Sequence, residues 1–295
     1  MKNNLRILAL CLVGMFAVNC SSDDNSITEP GKEEVDPGKE EYKSIVLVLS
    51  SEENVFNVED NKETLESTNI VKFNYNEQYL LTSTTLSIPF GNTNAGDNIG
   101  DTKYIYNDKL QLTSLEYKGQ IQYQFFYENN LLIKSIEDDI TTNNITEYKY
   151  DSSNKVIEII GYNQDKNSTT PIANKSYTKY KYNSDELITH VIDSENDKYS
   201  AEITYYDKGK TLFENSIHNP QLGNSEYLYE LELIYNPKKN IHSITDLYSQ
   251  YISTYEFNEE GYPIKETTIE KDLKTGSIET KTVTTYTYKI VKVKK

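Results

Sequence analysis

The chain has 295 residues, enough for one large domain or two small ones, and 36% of them are hydrophobic. Its 26 tyrosines and 8 phenylalanines argue against disorder, and its 7 prolines and 12 glycines exclude fibrous and proline-rich classes. A net charge of −16 with no basic stripe repels phosphate backbones, so we expect no nucleic-acid partner.

Both cysteines of the chain lie near its start. They are Cys11 and Cys20, and no cysteine follows them. The rest of the chain therefore has no thiol for a metal site, a redox pair or a nucleophile. We expect the folded part to be stabilised without disulfides.

The first 19 residues predict a signal peptide. Lys2 and Arg6 precede an apolar run over residues 7–18, which is too short to span a bilayer core of about 30 Å. The run ends in Phe16-Ala17-Val18-Asn19-Cys20, which resembles the lipobox of bacterial lipoproteins, with Asn19 where Gly or Ala is usual. The resemblance implies cleavage before Cys20 and lipid on Cys20. The alternatives are an ordinary secreted protein and a buried cysteine.

A short acidic segment follows the predicted lipid attachment site. Ser21, Ser22, Asp23 and Asp24 resemble the export signal of Bacteroidota-type surface lipoproteins. That resemblance implies an outer-membrane protein exposed at the cell surface, and a periplasm-facing anchor is the alternative. Residues 20–41 are predicted to be the lipidated cysteine plus an acidic flexible tether, because the segment has no apolar periodicity.

The folded part is predicted to span residues 42–295. Ile45 to Leu49 are apolar on both faces and predict a buried first strand, and residues 59–68 are compatible with one helical turn. Alternation is clearest over residues 227–235. The spacing of Ile241, Ile244, Leu247, Tyr248 and Tyr251 fits a helix as well as a strand, and the surrounding repeat favours a strand.

A repeated pattern fills the chain from residue 70 onward. A typical copy has two aromatics one residue apart, then Asn, Asp or Glu, a short polar turn and an aliphatic pair; Leu233–Asn236 has only its second aromatic. The copies are Phe73–Asn76, Tyr104–Asn107, Phe125–Glu128, Tyr148–Asp151, Tyr180–Asn183, the weaker Thr204–Asp207, Leu233–Asn236, Tyr255–Asn258 and Tyr286–Lys289, the last without a turn. The second aromatics, with Tyr206 in the weaker copy, recur every 21 to 32 residues, which is one hairpin per copy.

This pattern predicts an all-β fold of repeated antiparallel β-hairpins that form one large twisted or rolled sheet. Two aromatics one residue apart lie on the same face of a strand, and Asn or Asp after the second one can close the turn. The return strands are expected to start near residues 131, 156, 187 and 241. An open sheet has free edges, so we expect the terminal lysines to protect the last strand, namely Lys289, Lys292, Lys294 and Lys295.

The segment Tyr255–Glu266 resembles the YD or RHS-type repeat, whose pattern is Tyr-Asp, two residues, Gly and an aliphatic strand. The resemblance covers about residues 70–290 and is strongest at Phe257–Gly261, because Gly is usually missing elsewhere. Large RHS proteins wrap a closed β-shell around a toxin. This chain is similar instead to short envelope lipoproteins with a run of such hairpins. We expect the chain to be too short to form a shell around a toxin, so the toxin-encapsulating function of large RHS proteins is not transferred to it.

No catalytic or metal-binding motif stands out. His190, His218 and His242 each lack a second ligand nearby, and the chain has no Gly-rich phosphate loop or GxSxG motif. The cluster Glu137-Asp138-Asp139 fits no calcium loop and is interpreted as a solvated turn. We expect no enzyme activity, no metal and no cofactor.

The sequence thus predicts a lipid-anchored cell-envelope protein that acts as a non-catalytic binding or structural module. Its expected partners are the membrane, through the anchor, and a protein or glycan ligand held on an exposed sheet face at the cell surface. The alternative is a carboxylate-based hydrolase acting on glycan or peptide, whose acid pair the sequence alone does not identify.

Overall fold

The computed structural model describes residues 42–90, 98–166, 175–193, 201–212 and 239–294. Within these ranges the chain forms sixteen strands and no helix. The strands are Tyr42–Glu59 (β1), Lys62–Tyr75 (β2), Leu81–Phe90 (β3), Asn98–Tyr106 (β4), Leu112–Tyr117 (β5), Gln120–Glu128 (β6), Leu131–Asp138 (β7), Thr142–Tyr150 (β8), Val156–Asp165 (β9), Ser176–Tyr182 (β10), Ile188–Asp193 (β11), Ala201–Tyr205 (β12), Ile241–Thr245 (β13), Ser249–Phe257 (β14), Pro263–Asp272 (β15) and Ile278–Lys294 (β16).

Each strand pairs antiparallel with its neighbours in sequence, and β16 returns to pair with β1, so that the sheet closes into a barrel. The prediction of an all-β fold of antiparallel hairpins is confirmed. The predicted twisted or rolled sheet is not open, because its first and last strands pair and close it into a barrel. The proposed protection of an edge strand is also wrong, because Lys294 lies opposite Tyr42 and β16 has no free edge.

The barrel has two distinct ends. We call the end where β1 begins and β16 finishes the near end; the connections after the other even-numbered strands lie there. The connections after odd-numbered strands, beginning with Asp60 and Asn61, form the far end. Asp60 and Asn61 have φ values of 52° and 59°, which suit a two-residue hairpin turn. The expected helical turn over residues 59–68 is therefore wrong, and β1 and β2 run through this segment.

The first strand is buried on both faces, as predicted. Ile45, Val46, Leu47 and Val48 are all at most 5% exposed. Leu49 is the exception at 39%, because the register with β16 shifts between Val48 and Ser50 and turns Leu49 outward. The strand prediction for residues 241–251 is confirmed, with a turn between β13 and β14. The predicted strand over residues 227–235 lies outside the described residues.

The near-end turns share one hydrogen-bond pattern. In Asn107, for example, Oδ1 accepts bonds from the N–H groups of Lys109 and Gln111 at 2.9 and 3.0 Å. The same side-chain pattern recurs at Asn76, Asp151, Asn183 and Asn258. The side-chain oxygen thus replaces the partners that the turn backbone lacks, as predicted for Asn or Asp after the second aromatic.

A β-bulge follows each of these hairpins at the second residue of the return strand. In β4 and β5, Tyr106 lies opposite Leu112 and Ile105 opposite Ser114, which leaves Thr113 unpaired. The same one-residue shift occurs at seven near-end hairpins of the described strands. Bulges increase local twist, so their repetition gives every hairpin the same bend toward closure.

The second aromatic of a hairpin joins it to the preceding hairpin. Its hydroxyl donates to a backbone carbonyl of the neighbouring odd-numbered strand, at the first or second residue of the strand in every case but Val48 of β1. The six bonds are Tyr75 to Val48, Tyr106 to Leu81, Tyr127 to Leu112, Tyr150 to Leu132, Tyr182 to Val156 and Tyr205 to Ile188, at 2.7 to 2.9 Å. In the weaker copy this role belongs to Tyr205, so the sequence-based assignment to Tyr206 is off by one residue.

Candidate functional site

The predicted lipid attachment site and export signal are not part of the described structure. Cys20, Ser21, Ser22, Asp23 and Asp24 all precede residue 42, and these assignments stay predictions. Within the described ranges no helix is long and apolar enough to cross a membrane.

The interior face of the barrel changes from apolar to polar along its axis. Toward the near end it carries the hydrophobic core, including Val46, Val48, Val71, Phe73, Tyr104, Phe125, Tyr148, Tyr180 and Ile203. Toward the far end the alternating inward positions become polar, including Ser51, Glu53, Asn69, Ser135, Glu137, Ser253, Glu266, Thr268, Glu270 and Thr284. The described tyrosines of the repeat thus contribute to the core. They do not form an exposed row on the sheet face that was expected to hold a protein or glycan ligand.

Three interior glutamates are satisfied by hydroxyl and amide donors. Glu266 accepts from Tyr255 at Oε1 and from Tyr286 at Oε2, both at 2.9 Å. Glu270 accepts from Tyr251 at Oε1 and from Thr280 at Oε2. Both oxygens of each carboxylate therefore have a partner. Buried carboxylates are stable only with such bonds or with a counter-charge.

Glu137 completes this set on another part of the wall. Its Oε1 accepts from the Tyr123 hydroxyl at 2.7 Å and its Oε2 from the Asn144 amide at 2.9 Å. The interpretation of the Glu137–Asp139 cluster as a solvated turn is therefore wrong for Glu137. It is confirmed for Asp139, which caps the N–H of Ile140 in the exposed β7–β8 connection.

Glu53 differs from the other three. It is 1% exposed, its Oε1 accepts from the Asn69 amide at 2.9 Å, and its Oε2 has no hydrogen-bond partner. Burial raises the pKa of the Glu53 carboxyl from 4.5 to about 7; the Asn69 bond opposes this shift and the Glu266 charge adds to it.

Two far-end connections carry an exposed apolar patch. Leu247 and Tyr248 follow β13, Leu273 follows β15 and Ile278 begins β16; they are 47%, 61%, 44% and 41% exposed. The Leu273 N–H donates to the Tyr248 carbonyl at 2.8 Å, which holds the two connections together. We call these four residues the far-end patch.

The histidines form no site in the described structure. His190 contacts the adjacent Thr189 hydroxyl, and the His242 ring lies edge-on to Tyr206 at 4.8 Å. His218 lies outside the described ranges. No group of three or more His, Cys, Asp or Glu side chains able to hold a metal occurs in the part of the chain that the structure describes.

The polar interior wall is the feature that the sequence interpretation missed. A signal for it was present in β15, where Glu266, Thr268 and Glu270 alternate with outward Lys265 and Thr267. Alternation shows that the three share a face. It does not show that this face lies inside a barrel, because closure depends on the pairing of β1 with β16.

Comparisons with known proteins show the fold only. No family model and no curated protein matches the chain. A porin-like protein from Bacteroides uniformis is similar in structure, with a TM-score of 0.55 at 11% identity over 82% of this chain and 98% of that protein. A porin-like protein from Bacteroides vulgatus has a TM-score of 0.45 at 11% identity, covering 80% and 97% of the two chains. The TcdB2-TccC3 toxin complex has a TM-score of 0.30 at 14% identity, covering 81% of this chain and 14% of its own.

Proposed function

We propose that the chain is a lipid-anchored, non-catalytic binding module of the cell envelope that presents its far end to a protein partner. The anchor is Cys20, the export signal is Ser21 to Asp24, and the location is the outer surface of the outer membrane. A periplasm-facing anchor is the alternative location. The proposal includes the assignment of the chain to short surface lipoproteins with YD/RHS-like hairpin repeats.

The observation that supports it is the direction of the first strand. β1 begins at Tyr42 on the near end and runs to the far end. A lipid on Cys20 is joined to Tyr42 through residues 21–41, which as a flexible coil would span about 25 Å. The anchor therefore attaches at the near end, and the far-end patch points away from the membrane.

The outer wall supports a barrel that stands in water. Cross-strand ion pairs lie on outward positions of neighbouring strands, including Lys103–Glu116, Lys149–Glu158 and Lys265–Glu256. A barrel embedded in lipid instead carries an apolar band on these positions and polar residues inside. Here the hydrophobic core lies inside the near half of the barrel and charged pairs lie on the outer wall, so we assign membrane attachment to the lipid and not to the barrel.

The far-end patch supports a protein as the partner. Four large apolar side chains, each more than 40% exposed, are grouped on two connections tied by a backbone hydrogen bond. Grouped exposed apolar side chains mark interaction sites more often than scattered ones do. Three of the four side chains are leucine or isoleucine, which offer no flat ring for stacking on sugars, and Tyr248 alone has a ring, so this patch favours a protein over a glycan.

Photocrosslinking in living cells tests the proposal. A photoreactive amino acid is placed at Tyr248 in the patch, and the control position is Lys72, which is exposed on the outer wall. We expect discrete protein adducts from position 248 and none of the same mass from position 72. Identical patterns from both positions, or no adduct from either, would contradict a far-end binding site and favour a structural coat protein.

The alternative of a carboxylate-based hydrolase rests on one observation. Glu53, with its raised pKa, lies near the hydrogen-bonded Glu266, and an acid paired with a carboxylate is the arrangement that glycoside hydrolysis uses. The burial of both groups, 1% and 4% exposed, works against it, because a substrate bond must reach them. Loss of polysaccharide or peptide cleavage in a Glu266→Gln variant of an active preparation would support the hydrolase.

A further inference from the structure

The interior wall contains one carboxylate oxygen that the protein leaves unmatched. Glu137, Glu266 and Glu270 each have donors on both carboxylate oxygens, whereas Glu53 Oε2 has none. An unpaired buried polar group destabilises the folded protein.

No basic side chain compensates this charge within the described strands around Glu53. The nearest inward positions on β15, β16, β1 and β2 are Ser51, Val55, Ser67, Asn69, Glu266, Thr268, Thr282, Thr284 and Tyr286. Buried charges in proteins are paired or coordinate a metal ion.

The strand register places three oxygen-bearing side chains in one row across the wall. Glu266 lies opposite Thr284 and Thr284 lies opposite Glu53, so Thr284 separates the two glutamates. With neighbouring strands about 4.8 Å apart, the two glutamate Cα atoms are about 10 Å apart, and both side chains point inward. At this separation two glutamates can reach one ion between them.

We propose that Glu53, Glu266 and Thr284 bind a hard divalent cation of the Ca²⁺ class inside the barrel. Carboxylate and hydroxyl oxygens are the donors that such ions take, with water completing the shell. Glu53 contributes Oε2, while Asn69 holds its Oε1 in place. A carboxylate has about four lone-pair sites, so the donors on Glu266 are compatible with an ion on the same group. The ion offsets the charge that the wall leaves unmatched.

Terbium luminescence tests the site directly. Tb³⁺ replaces Ca²⁺ and emits when a nearby aromatic ring is excited; this chain has no Trp, so tyrosine is the only sensitiser. Tyr255 and Tyr286 both bond to Glu266 and lie beside the proposed ion. With the purified full chain we expect a saturable Tb³⁺ signal that Ca²⁺ displaces and Mg²⁺ displaces poorly, and a Ca²⁺-dependent rise of Tm.

Matched variants separate this site from the acidic surface. Glu53→Gln should abolish the saturable signal and the Ca²⁺-dependent rise of Tm, and Glu137→Gln should retain both because Glu137 lies on β7, away from the strands β15, β16 and β1 that hold the proposed ion. Circular dichroism in chelator confirms that each variant folds. Binding that persists unchanged in Glu53→Gln is adventitious surface binding and overturns the proposal, as does the absence of any Ca²⁺-displaceable signal in the unmodified chain. Neither outcome bears on photocrosslinking at the far-end patch.

Discussion

Leu110 holds a backbone conformation that leucine disfavours. Its φ is 61° at the turn position that Gly261 occupies in the matching hairpin, and its side chain is 52% exposed. Left-handed backbone costs a non-glycine residue about 1–2 kcal/mol, and the extra freedom of glycine in the unfolded chain returns part of this. We expect Leu110→Gly to raise the free energy of unfolding by about 0.5 kcal/mol.

Chemical denaturation with Leu110→Ala as the control measures this effect. Alanine removes the same exposed side chain but keeps the Cβ that causes the strain. The glycine variant should therefore unfold at a higher denaturant concentration than the alanine variant. Equal midpoints for the two variants would show that the turn carries no conformational strain at this residue.

Glu53 should make stability depend on pH in the absence of divalent cations. Its pKa is raised by burial to about 7, so the folded state keeps the proton that the unfolded chain releases near pH 4.5. The free energy of unfolding therefore falls as pH rises through this window, by about 1.4 kcal/mol per pH unit, and the contribution of Glu53 is constant above and below it.

Glu53→Gln removes this dependence. In chelator, the variant should gain stability relative to the unmodified chain between about pH 4 and about pH 8, on the order of 3 kcal/mol in total. Urea unfolding at three pH values measures the difference. Two parallel stability curves would mean that Glu53 titrates normally in the folded state.

Sequence reasoning at the residue scale succeeded for roles set by local chemistry. Asn and Asp close their turns through bonds to the next few N–H groups, so the pattern around Asn107 suffices to predict them. The role of Glu53 depends on neighbours that are distant in sequence, namely Asn69 across one strand pair and Thr284 across the closing pair. No local pattern contains that information.

Each hairpin is an element that depends on its neighbour through one tyrosine. The Tyr127 hydroxyl donates to the Leu112 carbonyl at 2.9 Å and thereby joins the β6–β7 hairpin to β5. Removing the hydroxyl leaves a part-buried carbonyl without this donor. We expect Tyr127→Phe to lower the free energy of unfolding by about 1 kcal/mol.

Tyr177→Phe is the matched control for this prediction. Tyr177 precedes inward Thr178 on β10 and so faces outward, and loss of its hydroxyl should change stability by less than about 0.5 kcal/mol. Thermal unfolding followed by circular dichroism compares the two variants. If both lose stability equally, the inter-hairpin bond contributes nothing specific.

The hairpins themselves were predictable because their signal is local and repeated. The return strands starting near residues 131, 156, 187 and 241 were placed from the repeated pattern of aromatics, turn residue and aliphatic pair, and β7, β9, β11 and β13 begin within one residue of them. Closure was not predictable from the same signal. It depends on pairing between Tyr42 and Lys294, and on bulges whose added twist appears only when hairpins are placed side by side.

At the scale of the whole molecule, attachment to the membrane is predicted to depend on Cys20. Replacing Cys20 by Ala removes the thiol that carries the lipid, so the protein should lose palmitate labelling and move from the membrane fraction to the soluble fraction. Cys11→Ala is the control, because Cys11 lies within the predicted signal peptide and should not affect anchoring. Palmitate labelling of the Cys20→Ala protein would disprove the lipobox assignment.

Protease shaving of intact cells distinguishes the two locations. If the anchor is in the outer leaflet, the protease should cleave the chain in intact cells at far-end connections such as those that contain Tyr248 and Leu273. Complete protection until the outer membrane is opened would instead indicate the periplasm-facing alternative.

The pairing of β1 with β16 also fixes when the protein can finish folding. These are the first and last strands of the described chain to be synthesised. Until residues 278–294 have been made, β1 has no partner on that side, and the growing sheet exposes two unpaired borders. A chain truncated before residue 278 would keep both borders, so we expect it to associate with other chains through these strand edges.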